Sequence, residues 1–238
     1  MANSQKLSQM TFHLITLFPD AFCSYFGESI LKRAIEDKKI AVKFYNPRDF
    51  TRPNRAERGF RADYKNRRID RAPYGGGPGM VIQAEPVIRA IESALGKLKV
   101  KSERSKVGIV WLTPGGKQFD TKIAKTYANK YTDMIFICGR YEGIDARVKK
   151  IFKVEEISVG PFVLTGGELP AMIMIDSISR QIEGVLGDIM SLEENRIASP
   201  DVYTRPEVFK YKNKNFRVPK ILLSGHHQKI EEWKKKKQ

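Results

Sequence analysis

Two short apolar runs of this chain end directly in glycine, and that pattern limits what the chain can fold into. Residues 134–138 (MIFIC) lead into Gly139, and residues 107–112 (VGIVWL) lead into a Thr-Pro-Gly-Gly segment. Both runs are rich in the β-branched and aromatic residues that strands prefer. A glycine after a strand lets the backbone approach a ligand closely, because no Cβ intervenes. Since ligands collect at the carboxyl ends of strands in α/β sheets, the pattern predicts an α/β fold with a binding site at that edge.

Three glycine-containing strings extend this prediction. They are residues 73–80 (PYGGGPGM), 138–143 (CGRYEG) and 159–171 (VGPFVLTGGELPA). Any one of them alone is typical of an ordinary tight turn. Three such loops in one chain favour a ligand site, and their irregular spacing indicates no internal repeat.

Strand and helix patterns alternate along the chain. This βα alternation predicts a mainly parallel sheet with helices on both faces. Strands are predicted at 11–18, 40–45, 107–112 and 134–138, and helices at 19–38, 84–95, 118–130, 145–150 and 168–181. From Gly184 onward the periodicity fades, and a boundary near 184–199 is expected to leave a small, mostly polar C-terminal piece.

Composition narrows the class of protein. The chain has 238 residues and 41% hydrophobic content, which suits a packed core. Its two cysteines, Cys23 and Cys138, are expected in apolar surroundings and form neither a disulfide framework nor a metal motif. No apolar run reaches the length of a membrane span, and the N-terminus lacks the pattern of a signal peptide. A cytoplasmic protein without a membrane association is therefore expected.

The net charge of +16 is concentrated in two segments. Residues 48–71 carry nine Arg or Lys against four acids, and residues 205–238 carry eleven against three. Interleaved aromatic residues could stack on bases, so this charge distribution is the footprint expected for a protein that contacts a phosphate backbone. The alternative is a solvated basic loop and a basic tail. Because arginine makes bidentate phosphate contacts, the first segment supplies the candidate phosphate contacts: Arg55, Arg58 and Arg61.

The usual nucleotide-binding motifs are absent from the sequence. No G-x-G-x-x-G follows a strand, and Gly116-Lys117 lacks the upstream glycine of a P-loop. A Rossmann dehydrogenase or a P-loop NTPase is therefore disfavoured. His226 and His227 have no partners at zinc spacing, so no metal site is predicted.

Eight strings of the chain, in order and spacing, resemble the bacterial tRNA (guanine-N1)-methyltransferase family. The likeness extends over roughly nine tenths of the chain, which chance motifs would not give. The strings are NPRDF (46–50), PYGGGPGM (73–80), CGRYEGID (138–145), VGPFVLTGGELPAM (159–172), IDSISR (175–180), GVLG (184–187), YTRPEV (203–208) and LLSGHH (222–227).

The resemblance implies a SPOUT fold, in which a deep trefoil knot closes the parallel sheet. It also implies a homodimer that binds S-adenosylmethionine and methylates N1 of the guanosine at position 37 of tRNA, with both subunits contributing to each active site. The expected organisation is a flexible extension at 1–10, a SPOUT domain at 11–187, a flexible active-site linker at 188–202 and a short, truncated basic region at 203–238.

Site residues follow from the resemblance by position. Arg180 would stabilise charge developing on O6 of the guanine, and Asp70 would help organise the substrate pocket. Glu142 would face the cationic part of the cofactor. The implied cofactor pocket consists of Leu112, Thr113, Pro114, Gly139, Tyr141, Glu142, Gly143, Val159, Gly160, Pro161, Phe162, Val163, Leu164, Gly166, Gly167 and Pro170.

The chain departs from the family pattern at the general base. Asn195 stands where relatives carry an aspartate, and an amide cannot accept a proton as a carboxylate does. Glu194 is the preferred replacement, with Glu193 beside it and Asp188 and Asp201 as weaker candidates. Two alternatives follow from this departure: a catalytically weak SPOUT protein that binds cofactor and RNA, or a methyltransferase with another RNA target.

Overall fold

The computed structural model describes residues 9–51, 68–99, 106–187 and 201–235. The chain separates into two compact units, Met1–Val185 and Leu186–Gln238. Most of the predicted linker lies outside the described residues, as do five predicted site residues: Arg55, Arg58, Arg61, Glu194 and Asn195.

A five-stranded sheet forms the centre of the first unit. All of its strand pairs are parallel, which confirms the predicted parallel sheet. A two-stranded antiparallel ribbon, β3 with β4, lies outside it. The strands are β1 (Met10–Ile15), β2 (Ile40–Tyr45), β3 (Asp70–Arg71), β4 (Val81–Ile82), β5 (Val107–Gln118), β6 (Asp133–Ile137) and β7 (Glu155–Ser158), and the order in the large sheet is β2-β1-β6-β5-β7.

Helices connect these strands. Asp120 caps α4 by accepting a 2.8 Å hydrogen bond from the Ile123 amide. Pro86 falls in the first turn of α3, where its missing N–H costs nothing. The helices are α1 (Cys23–Phe26), α2 (Ser29–Glu36), α3 (Ala84–Lys99), α4 (Thr121–Lys130), α5 (Arg147–Ile151) and α6 (Glu168–Ser179), with 3-10 turns at Pro19–Phe22 and Pro47–Phe50.

The sheet has a separate hydrophobic core on each face, because its buried strands alternate their side chains with a period of two. On β6, Met134 and Phe136 pack with α2, α4 and α6, whereas Ile135 and Ile137 pack with α3 and α5. This arrangement confirms helices on both faces.

The structure corrects three local predictions. The helix expected at 19–38 is broken into short segments, since Gly27 closes α1 and Ser29 adopts a positive φ of 53°. The strand expected at 107–112 continues to Gln118, with a register shift against β7 between Leu112 and Lys117. Cys23 is exposed, because the neighbouring Phe22 and Phe26 take the buried positions of that turn.

The second unit is a small assembly of exposed elements. It contains the hairpin β8 (Val208–Tyr211) and β9 (Lys214–Arg217), followed by α7 (Lys220–Leu223) and α8 (His227–Lys235). The rings of Tyr203 and Trp233 lie 6.5 Å apart within it. Neither unit, in its described ranges, contains a helix with the length and apolarity that crossing a bilayer requires.

Candidate ligand site at the carboxyl edge of the sheet

A cavity of about 400 Å³ opens where β6 and β7 end, beside the bulge in the middle of β5. The two strings 138–143 and 159–171 form most of its wall, together with the bulged part of β5. Its position is the one that the strand-to-glycine pattern predicts, at the carboxyl edge of a parallel sheet.

Every residue predicted for the cofactor pocket lines this cavity except Pro161, which is exposed and lies outside the lining. Seven further residues line it that the sequence did not single out. Arg140 lies within the glycine string 138–143, so the sequence could have indicated that it lines the cavity. Lys149, on α5, lies in no such string, and no sequence pattern indicates it. The seven are Trp111, Arg140, Ile144, Ala146, Lys149, Ile157 and Ser158.

The loop after β6 is bound to the glycine string at 73–80. The Glu142 amide donates to the Met80 carbonyl (3.1 Å), and the Ile82 amide donates to the Gly143 carbonyl (3.0 Å). A Cβ on Gly79 would lie 2.5 Å from Glu142 Oε1, so the carboxylate occupies the space that a side chain would need. The two strings therefore form one surface, with Glu142 at the rim of the cavity.

The string at 159–171 reaches the same loop from the other side. The Gly167 amide donates to the Gly139 carbonyl (2.9 Å), and Arg140 forms an antiparallel bridge with Gly166. A Cβ on Gly167 would lie 2.6 Å from the Cys138 Cα. Only glycine therefore permits α6 to begin this close to the end of β6.

Two ion pairs place cations in the cavity wall. Arg140 Nε lies 2.9 Å from Oε2 of the buried Glu168, although the angle is not that of a hydrogen bond. Lys149 Nζ lies 3.0 Å from the exposed Glu156 carboxylate, and 5.5 Å from the centre of the Trp111 ring. The cavity thus combines apolar walls with charges that are already partnered.

Among the described residues near the cavity, no titratable side chain is activated as a nucleophile. Burial, reinforced by the Glu168 charge, holds the pKa of the Cys138 thiol well above its usual range, so the thiol stays protonated. Hydrogen bonds from Arg147 hold the pKa of the Asp145 carboxyl below its usual range. Within the described ranges, no cluster of His, Cys, Asp and Glu is placed to hold a metal ion.

Two predicted site residues lie away from the cavity wall. Arg180 follows the last turn of α6, ten residues beyond Pro170, which corresponds to about 15 Å along the helix. Asp70 lies on β3 and pairs with Ile82 of β4, so it is next to the loop that carries Glu142. The Asp70 carboxylate is 3.5 Å from Arg68 Nε.

The fold and site together define a ligand-binding α/β protein whose cavity is formed by glycine loops at the carboxyl edge of a parallel sheet. The family model described as tRNA (Guanine-1)-methyltransferase TrmD matches residues 10–238. The chain belongs to this family, as the eight sequence strings indicated.

Individual relatives agree with the family. The tRNA (guanine-N(1)-)-methyltransferase of Clostridioides difficile (strain 630) is 42% identical over 231 residues, covering 95% of this chain and 91% of that protein. The enzyme of the same name from Geobacter sulfurreducens is 41% identical over 232 residues, covering 96% and 86%. The one from Campylobacter jejuni subsp. jejuni serotype O:2 is 40% identical over 225 residues, covering 93% and 88%.

Proposed function

We propose that this member of the tRNA (guanine-N1)-methyltransferase family uses S-adenosylmethionine to methylate N1 of the guanosine at position 37 of tRNA. One observation carries the proposal: the residues that the family pattern assigns to the cofactor surround a single cavity, Pro161 apart. The relatives' names supply the substrate class.

The cavity suits an adenosyl group with a cationic end. Leu112, Ile157 and Leu164 offer apolar walls for a flat base, and the glycines of the two loops let a ligand approach the backbone closely. The Glu142 carboxylate at the rim would balance a positive charge. The bound sulfonium supplies an already activated methyl group. The protein must then align the acceptor nitrogen, remove its proton and stabilise charge on the purine oxygen.

The proton acceptor and the charge-stabilising group are proposed from the family pattern. Glu194 is proposed as the base, because Asn195 cannot accept a proton, and Glu193 is its nearest substitute. Arg180 is proposed as the cation facing O6. Asp70 is proposed to organise the guanosine pocket, through its strand pairing with Ile82.

A homodimer is proposed as well, and the position of Arg180 supports it. About 15 Å of helix separates Arg180 from the cavity of its own subunit, so a second copy is proposed to supply it there. α6 supports this arrangement, since it leaves Leu169 and Ile173 exposed (50% and 42%) while its other residues are buried or partly buried. Apolar side chains spaced four residues apart form one stripe, which a partner subunit can cover.

The β8–β9 hairpin is proposed to contact tRNA, along with Arg55, Arg58 and Arg61. Phe209 and Phe216 are directly opposite each other, and Tyr211 pairs with Lys214, so three exposed aromatic rings share one face. The sequence from Val208 to Lys229 has no acidic residue, whereas it has six lysines and arginines. Exposed rings among cations suit stacking on bases beside a phosphate backbone.

The SPOUT knot and a cytoplasmic location belong to the same proposal. Membership of the family supports the knot. A tRNA substrate supports the location.

The decisive experiment is methyl transfer from labelled S-adenosylmethionine to an unmodified tRNA transcript with guanosine at position 37. The matched control is the same transcript with adenosine there. We expect transfer to the first transcript only. Cofactor binding without any transfer would instead favour a cofactor- and RNA-binding module, and equal labelling of both transcripts would indicate another RNA target.

A further inference from the structure

A buried carboxylate lies directly behind the cavity wall without lining the cavity. Glu168, the first residue of α6, is only 2% exposed. Its Oε2 is 2.9 Å from Arg140 Nε, and its Oε1 accepts a 2.8 Å hydrogen bond from the Thr16 hydroxyl. A buried charge is tolerated only when it is paired, so both oxygens are committed to these partners.

Arg140 connects this carboxylate to the cavity. Its side chain lines the cavity, and its guanidinium lies 4.7 Å from the centre of the Phe18 ring. It also donates to the Thr165 carbonyl (3.4 Å), while its backbone bridges to Gly166. The position of one guanidinium therefore determines how the loop after β6 meets the loop before α6.

Thr16 completes the network from the end of β1. Its hydroxyl accepts a 3.0 Å hydrogen bond from the Phe18 amide while it donates to Glu168. The Thr16 hydroxyl is thus bonded both to the Glu168 carboxylate and to the backbone amide of Phe18, the residue whose ring Arg140 contacts. Thr16 is 1% exposed, and it does not line the cavity.

We propose that Glu168 is a positioning residue for the cofactor: it holds Arg140, and through Arg140 both glycine loops, in the geometry that binds the S-adenosyl group. The inference rests on the proposed function, because that function identifies the ligand. Glu168 contacts neither the cofactor nor the reacting atoms, so it acts on affinity rather than on the chemical step.

The cavity offers a matched control pair. Lys149 also lines it and is also held by a carboxylate behind the wall, that of Glu156. The Glu156 side chain is 45% exposed, against 3% for that of Glu168. Water can replace Glu156, whereas Glu168 and the Nε atom of Arg140 are both shielded from it. The loss of Glu168 therefore leaves a buried nitrogen of the guanidinium without a compensating charge, although the rest of Arg140 is partly exposed.

The test compares Glu168→Gln, Glu156→Gln and Thr16→Val with the wild type. Calorimetry gives the dissociation constant of S-adenosylhomocysteine, steady-state kinetics gives kcat and the cofactor KM, and the thermal midpoint reports folding. For Glu168→Gln we expect the dissociation constant and the cofactor KM to rise about tenfold or more, with kcat at saturating cofactor within about twofold of wild type. Thr16→Val should change the same two constants by a smaller factor, and Glu156→Gln should leave them within about twofold.

Three results would overturn the inference. The first is an unchanged cofactor affinity in a folded Glu168→Gln protein. The second is an equal loss of cofactor affinity in Glu156→Gln. The third is a lower kcat with an unchanged cofactor KM in Glu168→Gln. If Glu168→Gln does not fold, an unchanged cofactor KM in Thr16→Val would overturn the inference equally. A wild-type protein that binds no S-adenosyl compound would overturn the proposed function, and the inference with it.

Discussion

Single atoms decide how closely the elements of this site approach one another, and Gly167 is the clearest case. A Cβ there would lie 2.6 Å from the Cys138 Cα, and backbone on both sides would have to move. We expect Gly167→Ala to lower the free energy of unfolding by about 2 kcal/mol and to weaken cofactor binding. Urea unfolding checks the first effect. Gly139→Ala is the control, since its Cβ would lie 3.8 Å from Ile144, an ordinary contact, and equal destabilisation would contradict the packing argument.

Tyr127 makes stability depend on pH in the alkaline range. Burial, and then its 2.6 Å hydrogen bond to Glu155, raise the pKa of the Tyr127 phenol above its ordinary value. Above about pH 10 the unfolded chain releases this proton and the folded protein retains it, so the free energy of unfolding falls as pH rises.

Tyr127→Phe isolates this contribution. For each pH unit above about 10, the free energy of unfolding of the wild type should fall by up to about 1.4 kcal/mol more than that of the variant. Urea unfolding at several pH values measures the two slopes. Parallel slopes would mean that the phenol ionises equally in both states.

At the scale of elements, α6 joins the cavity to an exposed apolar stripe. We expect Ile173→Glu to separate the proposed dimer, because a charge would be buried in its interface, and to abolish methyl transfer with it. Sedimentation velocity measures the change in mass. Ile151→Glu on α5 is the control, since Ile151 is also exposed but α5 packs on the opposite face of the sheet. A monomeric wild type, or a dimeric Ile173→Glu protein, would contradict this interface.

Variants of the β8–β9 hairpin distinguish the contribution of base stacking to tRNA binding from the contribution of charge. Replacing Phe209 and Tyr211 by serine should weaken tRNA binding at every salt concentration without changing its salt dependence. Replacing Lys210 and Lys212 by glutamine should instead flatten the salt dependence, by a slope of about 0.7 to 0.9 for each phosphate that the variant no longer neutralises. Filter binding across a salt series measures both. Unchanged affinity in both variants would remove the hairpin from the proposed tRNA surface.

Element prediction from this sequence succeeded for strands that are continuous buried apolar runs. It failed for a short edge strand and at a turn where a single backbone angle decides. β1 and β6 were predictable because their apolar residues are buried on both faces. β7 was not predicted, since Glu155 and Glu156 lie in a short edge strand with only Ile157 and Ser158 buried. The break at Gly27 and Ser29 depends on a positive φ, which an amphipathic pattern does not encode.

For the molecule as a whole, the sequence could identify the cavity but not its supports. The lining follows two of the three glycine strings, 138–143 and 159–171, because loops after parallel strands lie at one edge of the sheet. The string at 73–80 contacts the first of these loops without lining the cavity. The pair of Arg140 and Glu168 joins residues 28 positions apart, and Thr16 joins from 152 positions away, so no local pattern indicates them. Long-range buried networks of this kind become visible only when the strand order is known.

If the cavity of one subunit and Arg180 of its partner form one active site, as proposed, two inactive variants should restore activity together. Arg180→Ala should remove the charge-stabilising cation, and Glu142→Lys should repel the cofactor from the rim of the cavity, so each variant alone should be inactive. When the two are mixed and allowed to exchange subunits, half of the dimers should carry one copy of each. In such a dimer the cavity of the Arg180→Ala subunit meets the intact Arg180 of its partner, so about a quarter of wild-type activity should return. The methyl-transfer assay, with size-exclusion chromatography to verify exchange, measures the recovery. No recovery after proven exchange would place Arg180 and the cavity of the same subunit in one site.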